Sequence, residues 1–459
     1  MIHHYRLNGY NIILDIASGS IHSVDDAAYE AILMYEDTSK DEIAKHLITK
    51  YKDITLKDAM LLMAKIEELK EVGKLFSKDE FFSEADNKAN LSLKALCLNV
   101  SHECNMACEY CFTLDNITMN DCVNNKNDSL RLMPLEIGKN AIDFLIKNSG
   151  NHKFLDVDFF GGEPLLNWET VKEIVAYARK CETLCDKKFR FTLTTNGLLI
   201  NEDVIRFTNR EMHTVVLSLD GRQAVHDGMR KLPDGSGSYE HVYPKIKELV
   251  DARRGKGYYI RGTYTNKNLD FIDDILNVAD LGFKEISFEP VVGKLNSSYS
   301  LSNKDLETLF AQYEALAIEM LKRREQGRGF NFYHFMLDLK DSPCLQKRLS
   351  GCGVGIEYMA VTPDGNLFPC HQFIGDNRFL LGNLTTGVVN KKLRDDFVSC
   401  GIYSKSDCKG CWARFYCCGG CAANSFCASD SIFGVNKVEC ELFKKRIECA
   451  IMLKIAESL

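Results

Sequence analysis

The stretch LCLNVSHECNMACEYCF, residues 96–112, joins an apolar, strand-like run directly to three cysteines spaced C-x-x-x-C-x-x-C. A tight loop carrying Cys104, Cys108 and Cys111 can bind three irons of a [4Fe–4S] cluster and leave the fourth iron open to a substrate or cofactor. A zinc half-site completed by His102 or by a distant thiol would use the same residue types. The spacing therefore predicts a metal site and leaves the identity of the metal open.

The composition indicates that these cysteines stay reduced. The 459 residues are 45% hydrophobic and 26% charged, as in soluble globular proteins, and the net charge of −7 gives no global attraction to nucleic acid or to a membrane. The first twenty residues lack a secretory signal pattern, and no apolar run approaches the roughly 20 residues that span a bilayer. We therefore expect a cytoplasmic protein whose 19 cysteines bind metal or pack, without a disulfide framework.

From about residue 91 to 300, around this first cysteine motif, strand-like runs alternate with helical stretches. The strand candidates are LCLNVS, LDVDFFGG, FRFTLTTNG, TVVLSLDG, YYIRGTYT and EISFEPVV. Such alternation predicts a parallel sheet, either open or curled into a partial barrel. Ligands of parallel βα folds gather at the carboxyl ends of the strands, so polar motifs at those ends are candidate binding residues.

Three of these strand ends carry such motifs: DFFGGEP at 158–164, TTNG at 194–197 and SLDG at 218–221. Each alone reads as an ordinary βα turn. In this order, and with the C-x-x-x-C-x-x-C loop followed by an aromatic residue, they resemble the radical S-adenosylmethionine (SAM) enzymes. The resemblance implies an α/β fold built on a partial (β/α)6 barrel, with SAM at the open iron.

The same resemblance implies which residues contact SAM. Arg230 and Arg261 are candidates for the SAM carboxylate or for a substrate backbone, and an ion pair is the alternative for each. The full set of SAM candidates is Phe112, Gly161, Gly162, Glu163, Pro164, Thr195, Asn196, Ser218, Asp220, Arg230 and Arg261.

A second cysteine constellation begins at DCKGCWARFYCCGGCAANSFC, residues 407–427, and extends upstream to CGVGIEYMAVTPDGNLFPC, residues 352–370. A zinc ribbon would explain the dense part but leaves Cys352, Cys370 and Cys440 without a purpose. The whole series resembles the SPASM extension of radical SAM enzymes, which implies two auxiliary [4Fe–4S] clusters. Their ligands would be Cys352, Cys370 and Cys421 for auxiliary cluster I, with Cys344 as its candidate fourth ligand, and Cys408, Cys411, Cys417 and Cys440 for auxiliary cluster II. The remaining cysteines, Cys97, Cys122, Cys181, Cys185, Cys400, Cys418, Cys427 and Cys449, have packing as their default interpretation.

Residues 1–75 have the pattern of a winged helix: two strand-like runs, YRLNGYNIILDI and SIHSV, then helical stretches at about 25–34, 39–50 and 56–72. We expect Asp25, Ser39 and Thr55 to be the N-caps of these helices. This region contains nine Lys and Arg and thirteen Asp and Glu, so its net charge is −4, which argues against DNA binding. A sheet edge beside a helix can instead take up an extended peptide as an added strand. The region resembles the leader-recognition element of peptide-modifying enzymes, and a packing domain without ligand is the alternative.

We therefore divide the chain into a winged-helix peptide-recognition element (1–75), a linker (76–90), a radical SAM partial barrel (91–300), a helical bridge (301–340) and a SPASM domain (341–459). This order is similar to the maturases of SCIFF peptides (six cysteines in forty-five residues), in the ranthipeptide group. The resemblance implies an enzyme that uses SAM and three [4Fe–4S] clusters to bond a cysteine sulfur to a carbon of another residue. Its partners would be a cysteine-rich precursor peptide, bound through its leader, and a reductant such as flavodoxin or ferredoxin.

Two alternatives stay open. A sulfatase-maturase-like enzyme would use the same clusters to oxidise a cysteine or serine to formylglycine. A metal-binding regulator would place its winged helix on DNA, but it would not need the GGE, TNG and SLD strand ends, and the acidic N-terminal region argues against it.

Overall fold

The computed structural model describes residues 1–84, 91–111, 131–293, 297–337, 349 and 351–458. Phe112 and Cys344, two of the predicted site residues, and Cys122 lie outside these ranges. So do residues 85–90, the C-terminal part of the predicted linker. Among the described residues, no helix is both long and apolar enough to cross a membrane.

The N-terminal region is a three-stranded antiparallel sheet followed by three helices. Its elements are β1 (Ile2–Leu7), β2 (Tyr10–Asp15), β3 (Ile21–Val24), α1 (Asp26–Met34), α2 (Lys40–Lys50) and α3 (Leu56–Glu71). The predicted helices and their N-caps Asp25, Ser39 and Thr55 are confirmed, the last two as capping boxes. The prediction of one strand across YRLNGYNIILDI is wrong. Asn8 and Gly9 both have positive φ, and this Asn-Gly pair turns the run into a β1–β2 hairpin.

The large sheet contains all six strands predicted from the alternating region. They are β4 (Ala95–Ser101), β6 (Phe154–Gly161), β7 (Lys188–Thr195), β8 (Met212–Ser218), β10 (Tyr258–Tyr264) and β11 (Glu285–Pro290). Two short strands, β5 (Ala107–Cys108) and β9 (Arg230–Lys231), form a separate antiparallel pair. Neighbouring strands of the six are parallel, so their carboxyl ends, with the predicted motifs, lie at one edge.

Helices cover one face of this sheet. They are α4 (Leu135–Asn148), α5 (Trp168–Cys181), α6 (Glu202–Glu211), α7 (Gln223–Met229), α8 (Tyr239–Arg253), α9 (Phe271–Asp280) and α10 (Leu306–Glu325). Alternate strand residues such as Val157, Leu193 and Leu217 are fully buried in the core between the sheet and these helices. One face of the sheet is therefore buried against the helices.

The C-terminal region continues the same sheet. The full strand order is β12-β11-β10-β8-β7-β6-β4-β13-β14-β15-β16, with β12 (Asn331–Phe332), β13 (Tyr358–Val361), β14 (Asn366–Phe368), β15 (Gly382–Asn383) and β16 (Gly387–Val388). Strand β13 pairs with β4 in parallel, which fixes the cysteine-rich region beside the strand that leads into the first cysteine motif. Its helices are α11 (Lys391–Ser399), α12 (Ser406–Lys409), α13 (Arg414–Cys417), α14 (Ala422–Ser429) and α15 (Lys437–Ser458), the last of which packs on α10.

Candidate active site

The first cysteine motif lies directly after the carboxyl end of β4, and its three thiols are neighbours. Burial, with smaller contributions from the charges of Glu163, Cys108 and Cys111, raises the pKa of Cys104 to about 12. Burial also raises the pKa of Cys108, against the opposing charge of Arg230. Thiols with raised pKa values stay protonated unless a cation binds them, because a metal deprotonates a coordinating thiol outright. These three thiols can therefore act as ligands once a metal centre deprotonates them.

The loop is fixed to the rest of the site by a short ladder. Cys108 pairs with Arg230 where β5 meets β9, and the Glu109 amide donates to the Met229 carbonyl at 2.8 Å. The Tyr110 hydroxyl donates to the buried carboxylate of Asp220, which belongs to the SLDG strand end. The cysteine loop and the end of β8 thus form one hydrogen-bonded unit.

The two glycines of the GGE motif allow the end of β6 to lie against this loop. Gly161 has a φ of +139°, and a Cβ there would collide with the Ser101 carbonyl oxygen. A Cβ on Gly162 would collide with the backbone of Glu103, just before Cys104. Glycine is therefore required at both positions by close approach of two backbones.

Glu163 joins the GGE motif to the TNG motif. Its carboxylate is fully buried and accepts from the Leu165 amide at 3.0 Å, the Thr195 hydroxyl at 2.8 Å and the Asn196 amide at 2.8 Å. Burial raises the pKa of Glu163 to about 7, although these donors favour its ionised form. The Asn196 side chain in turn donates to Asn105 Oδ1 at 2.8 Å, inside the cysteine loop.

The other predicted SAM residues divide by environment. Pro164 is buried and opens a short 3₁₀ turn, and Ser218 is half-buried at the end of β8. Arg230 is buried and pairs with Asp220, which corresponds to the ion-pair alternative. Arg261 lies on β10, opposite Ser218 of the neighbouring strand β8. Its side chain is 48% exposed, and its guanidinium is 3.7 Å from the Glu289 carboxylate. The structure thus brings the strand-end motifs together around the cysteine loop.

The face of the sheet opposite the helices is largely polar, and we did not predict this from the sequence. Strands buried on both faces normally read as continuous apolar runs. Here, apolar residues alternate with polar ones, and this period of two is the signal that could have revealed the face. We call it the polar face, and its members include Asp158, Thr192, Thr194, Ser218, Arg261, Thr263 and Glu289.

A buried charge cluster lies at the β11 end of the polar face. Glu289 Oε1 is 3.2 Å from His334 Nε2, and Arg446 of α15 donates from Nη1 to His334 Nδ1 at 3.1 Å. Burial opposes ionisation of Glu289, but His334, Arg261 and Arg446 outweigh burial and hold the pKa of this carboxyl well below its usual range. Arg446 is 4% exposed, and its Nε has no described hydrogen-bond partner.

The later cysteines include two groups of neighbouring thiols, and their assignment as ligands of two clusters stays a prediction. Burial is the main cause that raises the pKa of Cys370 strongly, and the nearby thiols of Cys421 and Cys352 add to it. The pKa of Cys440 is raised to about 12, mainly by burial and then by Cys408, Glu439 and Cys411. Burial and then Cys440 raise the pKa of Cys417, which also neighbours Cys408. Cys97 on β4 lies beside the first of these sets.

Within the described residues, no three His, Cys, Asp or Glu side chains are arranged to hold one metal ion. Thiolates that bind a single zinc at 2.3 Å in tetrahedral geometry lie about 3.8 Å apart. In a [4Fe–4S] cluster, each thiolate binds a different iron, so the sulfurs lie farther apart.

Residues 98–280 match the model of the radical SAM superfamily. Together with the cysteine loop and the strand-end motifs, this match identifies a radical SAM domain within the chain. The chain is 27% identical over 384 residues to the cysteine-type anaerobic sulfatase-maturating enzyme of Clostridium novyi (strain NT), covering 78% of this chain and 95% of that enzyme. It is 25% identical over 376 residues to the radical SAM cyclopropyl synthase TigE of Paramaledivibacter caminithermalis, covering 77% of this chain and 72% of TigE.

The fold also matches a solved structure over nearly the whole chain. SuiB of Streptococcus suis, bound to its precursor peptide SuiA, has a TM-score of 0.53 at 17% identity, covering 95% of this chain and 98% of SuiB. The same protein has been solved with S-adenosylmethionine. At this identity, the likeness is one of fold.

Proposed function

We propose that this radical SAM enzyme installs intramolecular thioether crosslinks in a ribosomally made, cysteine-rich precursor peptide. The observation that carries the proposal is that one strand, β4, adjoins both groups of thiols. Cys97 on β4 neighbours Cys370 of the second set, and β4 ends at Ser101, three residues before Cys104. A peptide bound along this strand would reach from one group to the other.

The polar face supports this reading because it offers groups that bind polypeptide. Arg261 and Glu289 belong to this face, and Arg446 lies beside them with an unused buried Nε donor. A peptide backbone or carboxylate satisfies such a donor, whereas an apolar ligand leaves its desolvation uncompensated. The polar face thus provides groups that can bind a peptide.

When bound, SAM and its cluster would supply a carbon-centred radical, and auxiliary cluster I would offer an iron to a substrate thiolate if Cys344 does not occupy that position. The chain's own residues hold these groups in line. Glu163 and Asp220 keep the strand ends and the cysteine loop in fixed relation, and the buried site excludes water.

The leader of the peptide would bind to the N-terminal sheet. On its β1 side, this sheet is covered by α15, since the Tyr5 hydroxyl donates to the Glu448 carbonyl at 3.0 Å and His3 stacks on Trp412 at 3.7 Å. On the other side, β3 pairs only with β2 among the described residues. Strand β3 is therefore the edge that can accept an added strand.

The test is to incubate the anaerobically reconstituted enzyme with SAM, reduced flavodoxin or ferredoxin, and a short cysteine-rich precursor peptide. Mass spectrometry should show loss of two hydrogens per crosslink, with one thiol fewer available for alkylation. A chain with Cys104, Cys108 and Cys111 changed to Ala should leave the peptide unchanged, whereas Cys185→Ala, outside all three sets, should retain activity.

A second candidate is formylglycine formation, favoured by the 27% identity to the Clostridium novyi sulfatase-maturating enzyme. That reaction converts a thiol-bearing carbon to an aldehyde, which a hydrazide reagent captures. A hydrazide adduct without any crosslink would establish this candidate and contradict the thioether proposal.

A further inference from the structure

One lysine of the cysteine-rich region is buried without an acidic hydrogen-bond partner. Lys405 is 2% exposed. Its ammonium donates to the Gly419 carbonyl at 2.9 Å and to the Ser425 hydroxyl at 3.1 Å, and both of these acceptors are neutral. A buried ammonium is costly unless an anion compensates its charge, which these partners do not do.

The surroundings of Lys405 show where such an anion would be. Lys405 is the N-cap of α12, and its carbonyl accepts from the Cys408 amide at 3.1 Å. Its ammonium touches Gly419, between Cys417 and Cys421, each of which is a proposed ligand of a different cluster. Lys405 also lines a cavity of about 30 Å³ together with Cys352.

Three of the four proposed ligands of auxiliary cluster II lie close to Lys405 along the chain. Cys408 is on α12, which Lys405 caps, and Cys411 follows that helix directly. Cys417 is two residues before Gly419, whose carbonyl accepts from the ammonium. The cation therefore lies beside the set Cys408, Cys411, Cys417 and Cys440.

We propose that Lys405 is the internal counter-ion of auxiliary cluster II and raises the reduction potential of that cluster. This inference rests on the cluster assignment in the proposed function. Four thiolates make a cluster anionic, and reduction adds one more negative charge. A buried cation stabilises the reduced state more than the oxidised one, because charges interact strongly where water is excluded.

The role is one of tuning, and Lys405 touches neither substrate nor the reacting atoms. A higher potential makes auxiliary cluster II a better acceptor for the electron that remains when a C–H bond and a thiol become a C–S bond. In that balance, one hydrogen atom leaves with the deoxyadenosyl group, one proton leaves from the thiol, and one electron must be removed.

The experiment is a redox titration of the full-length reconstituted protein, followed by electron paramagnetic resonance, with iron content measured on the same samples. The signal of auxiliary cluster II is identified by its loss in Cys440→Ala. Lys405→Met and Lys405→Gln remove the charge, Lys405→Arg keeps it, and Lys392→Met, an exposed position on α11, is the matched control.

We expect the Met and Gln variants to shift the reduction equilibrium at least tenfold toward the oxidised cluster, which is 59 mV for a one-electron couple. The Arg variant and the Lys392→Met control should retain the wild-type potential. Loss of about four irons in the Met and Gln variants, but not in Arg, would also support a counter-ion.

Two results would overturn the inference. One is an unchanged potential in fully loaded Met and Gln variants. The other is equal iron loss in all three Lys405 variants, which indicates a packing role. A wild-type protein with only about four irons would instead refute the cluster assignment itself, so the two failures are distinguishable.

Discussion

The Arg230 guanidinium donates from Nε to Asp220 Oδ2 at 3.0 Å, and this buried ion pair lies against the loop that carries Cys108. Asp220 is fully buried and also accepts from the Tyr110 hydroxyl and, at 3.0 Å, from the Thr263 amide. The Asp220 carboxylate, just after β8, therefore accepts hydrogen bonds from β9, from β10 and from the cysteine loop. Its charge balances a cation that would otherwise stand alone beside the thiols.

Removing that carboxylate should destabilise the site strongly. Asp220→Asn leaves Arg230 buried without its counter-charge, which typically costs about 3–5 kcal/mol. We expect a lower urea midpoint and loss of the iron bound by the first cysteine set. Asp270→Asn is the matched control, because Asp270 pairs with Arg222 at a site where its side chain is 53% exposed. The control should change stability by no more than about 1 kcal/mol, and an equal effect of both variants would contradict this account.

Gly162→Ala tests the close approach of the GGE motif to the cysteine loop. The added Cβ meets the Glu103 backbone, so one of the two segments must shift. We expect about 1–3 kcal/mol of destabilisation from overpacking and at least tenfold weaker SAM binding by isothermal titration calorimetry. Gly228→Ala, within α7 and with no atom within 4 Å of the new Cβ, should bind SAM as the wild type does.

Acid should weaken the same region through His226. This fully buried imidazole accepts from the Asp220 amide at 3.3 Å and donates to the Ser238 hydroxyl at 2.9 Å, and burial lowers its pKa to about 4. Because the unfolded state binds the proton more readily, stability is present above pH 6.5 and falls as pH drops from about 6.5 toward 4. The loss approaches about 3 kcal/mol across that window.

The measurement is the free energy of unfolding in urea between pH 7.5 and 5. His226→Gln should be less stable at pH 7.5 and should show a shallower decline with acid. His213→Gln, at an exposed position on β8, should retain the wild-type slope. A His226→Gln slope equal to the wild-type slope would show that this imidazole is not the titrating group.

These features were predictable from the sequence to different degrees. Asp25, Ser39 and Thr55 carry local capping signals, and the six parallel strands carry a repeated βα pattern, so both were predicted correctly. The buried cluster of Glu289, His334 and Arg446 was not predicted. Its members lie on three elements far apart in the chain, and no local pattern links them.

The pairing of β13 with β4 was missed for a related reason. Strand β13 has four residues, and β4 is more than 250 residues upstream, so only the folded chain brings them together. The consequence is functional, because this pairing sets the second cysteine set beside the strand that leads into the first. The TPDGN turn between β13 and β14 was visible in the sequence, whereas its partner strand was not.

The exposed apolar side chains of α3 offer the leader a further contact surface on the N-terminal region. Leu56, Met60 and Leu61 are 61%, 45% and 64% exposed, which is unusual for large apolar residues on one helix. Met60→Glu should weaken binding of the full precursor peptide at least tenfold in fluorescence anisotropy, without lowering the urea midpoint. Leu184→Glu, at a 79% exposed apolar residue outside this region, is the control. Equal affinity of Met60→Glu and wild type would place the leader elsewhere.

The most direct test of the three-cluster account is the iron, sulfide and zinc content per chain after anaerobic purification and reconstitution. Three [4Fe–4S] clusters predict about 12 irons, equal sulfide and little zinc. Replacing Cys370 with Ala should lower the count by about four, and so should replacing Cys417, while Cys181→Ala should leave it unchanged. About four irons with one or two zincs in the wild-type protein would contradict the account, since the later cysteines would then form structural zinc sites.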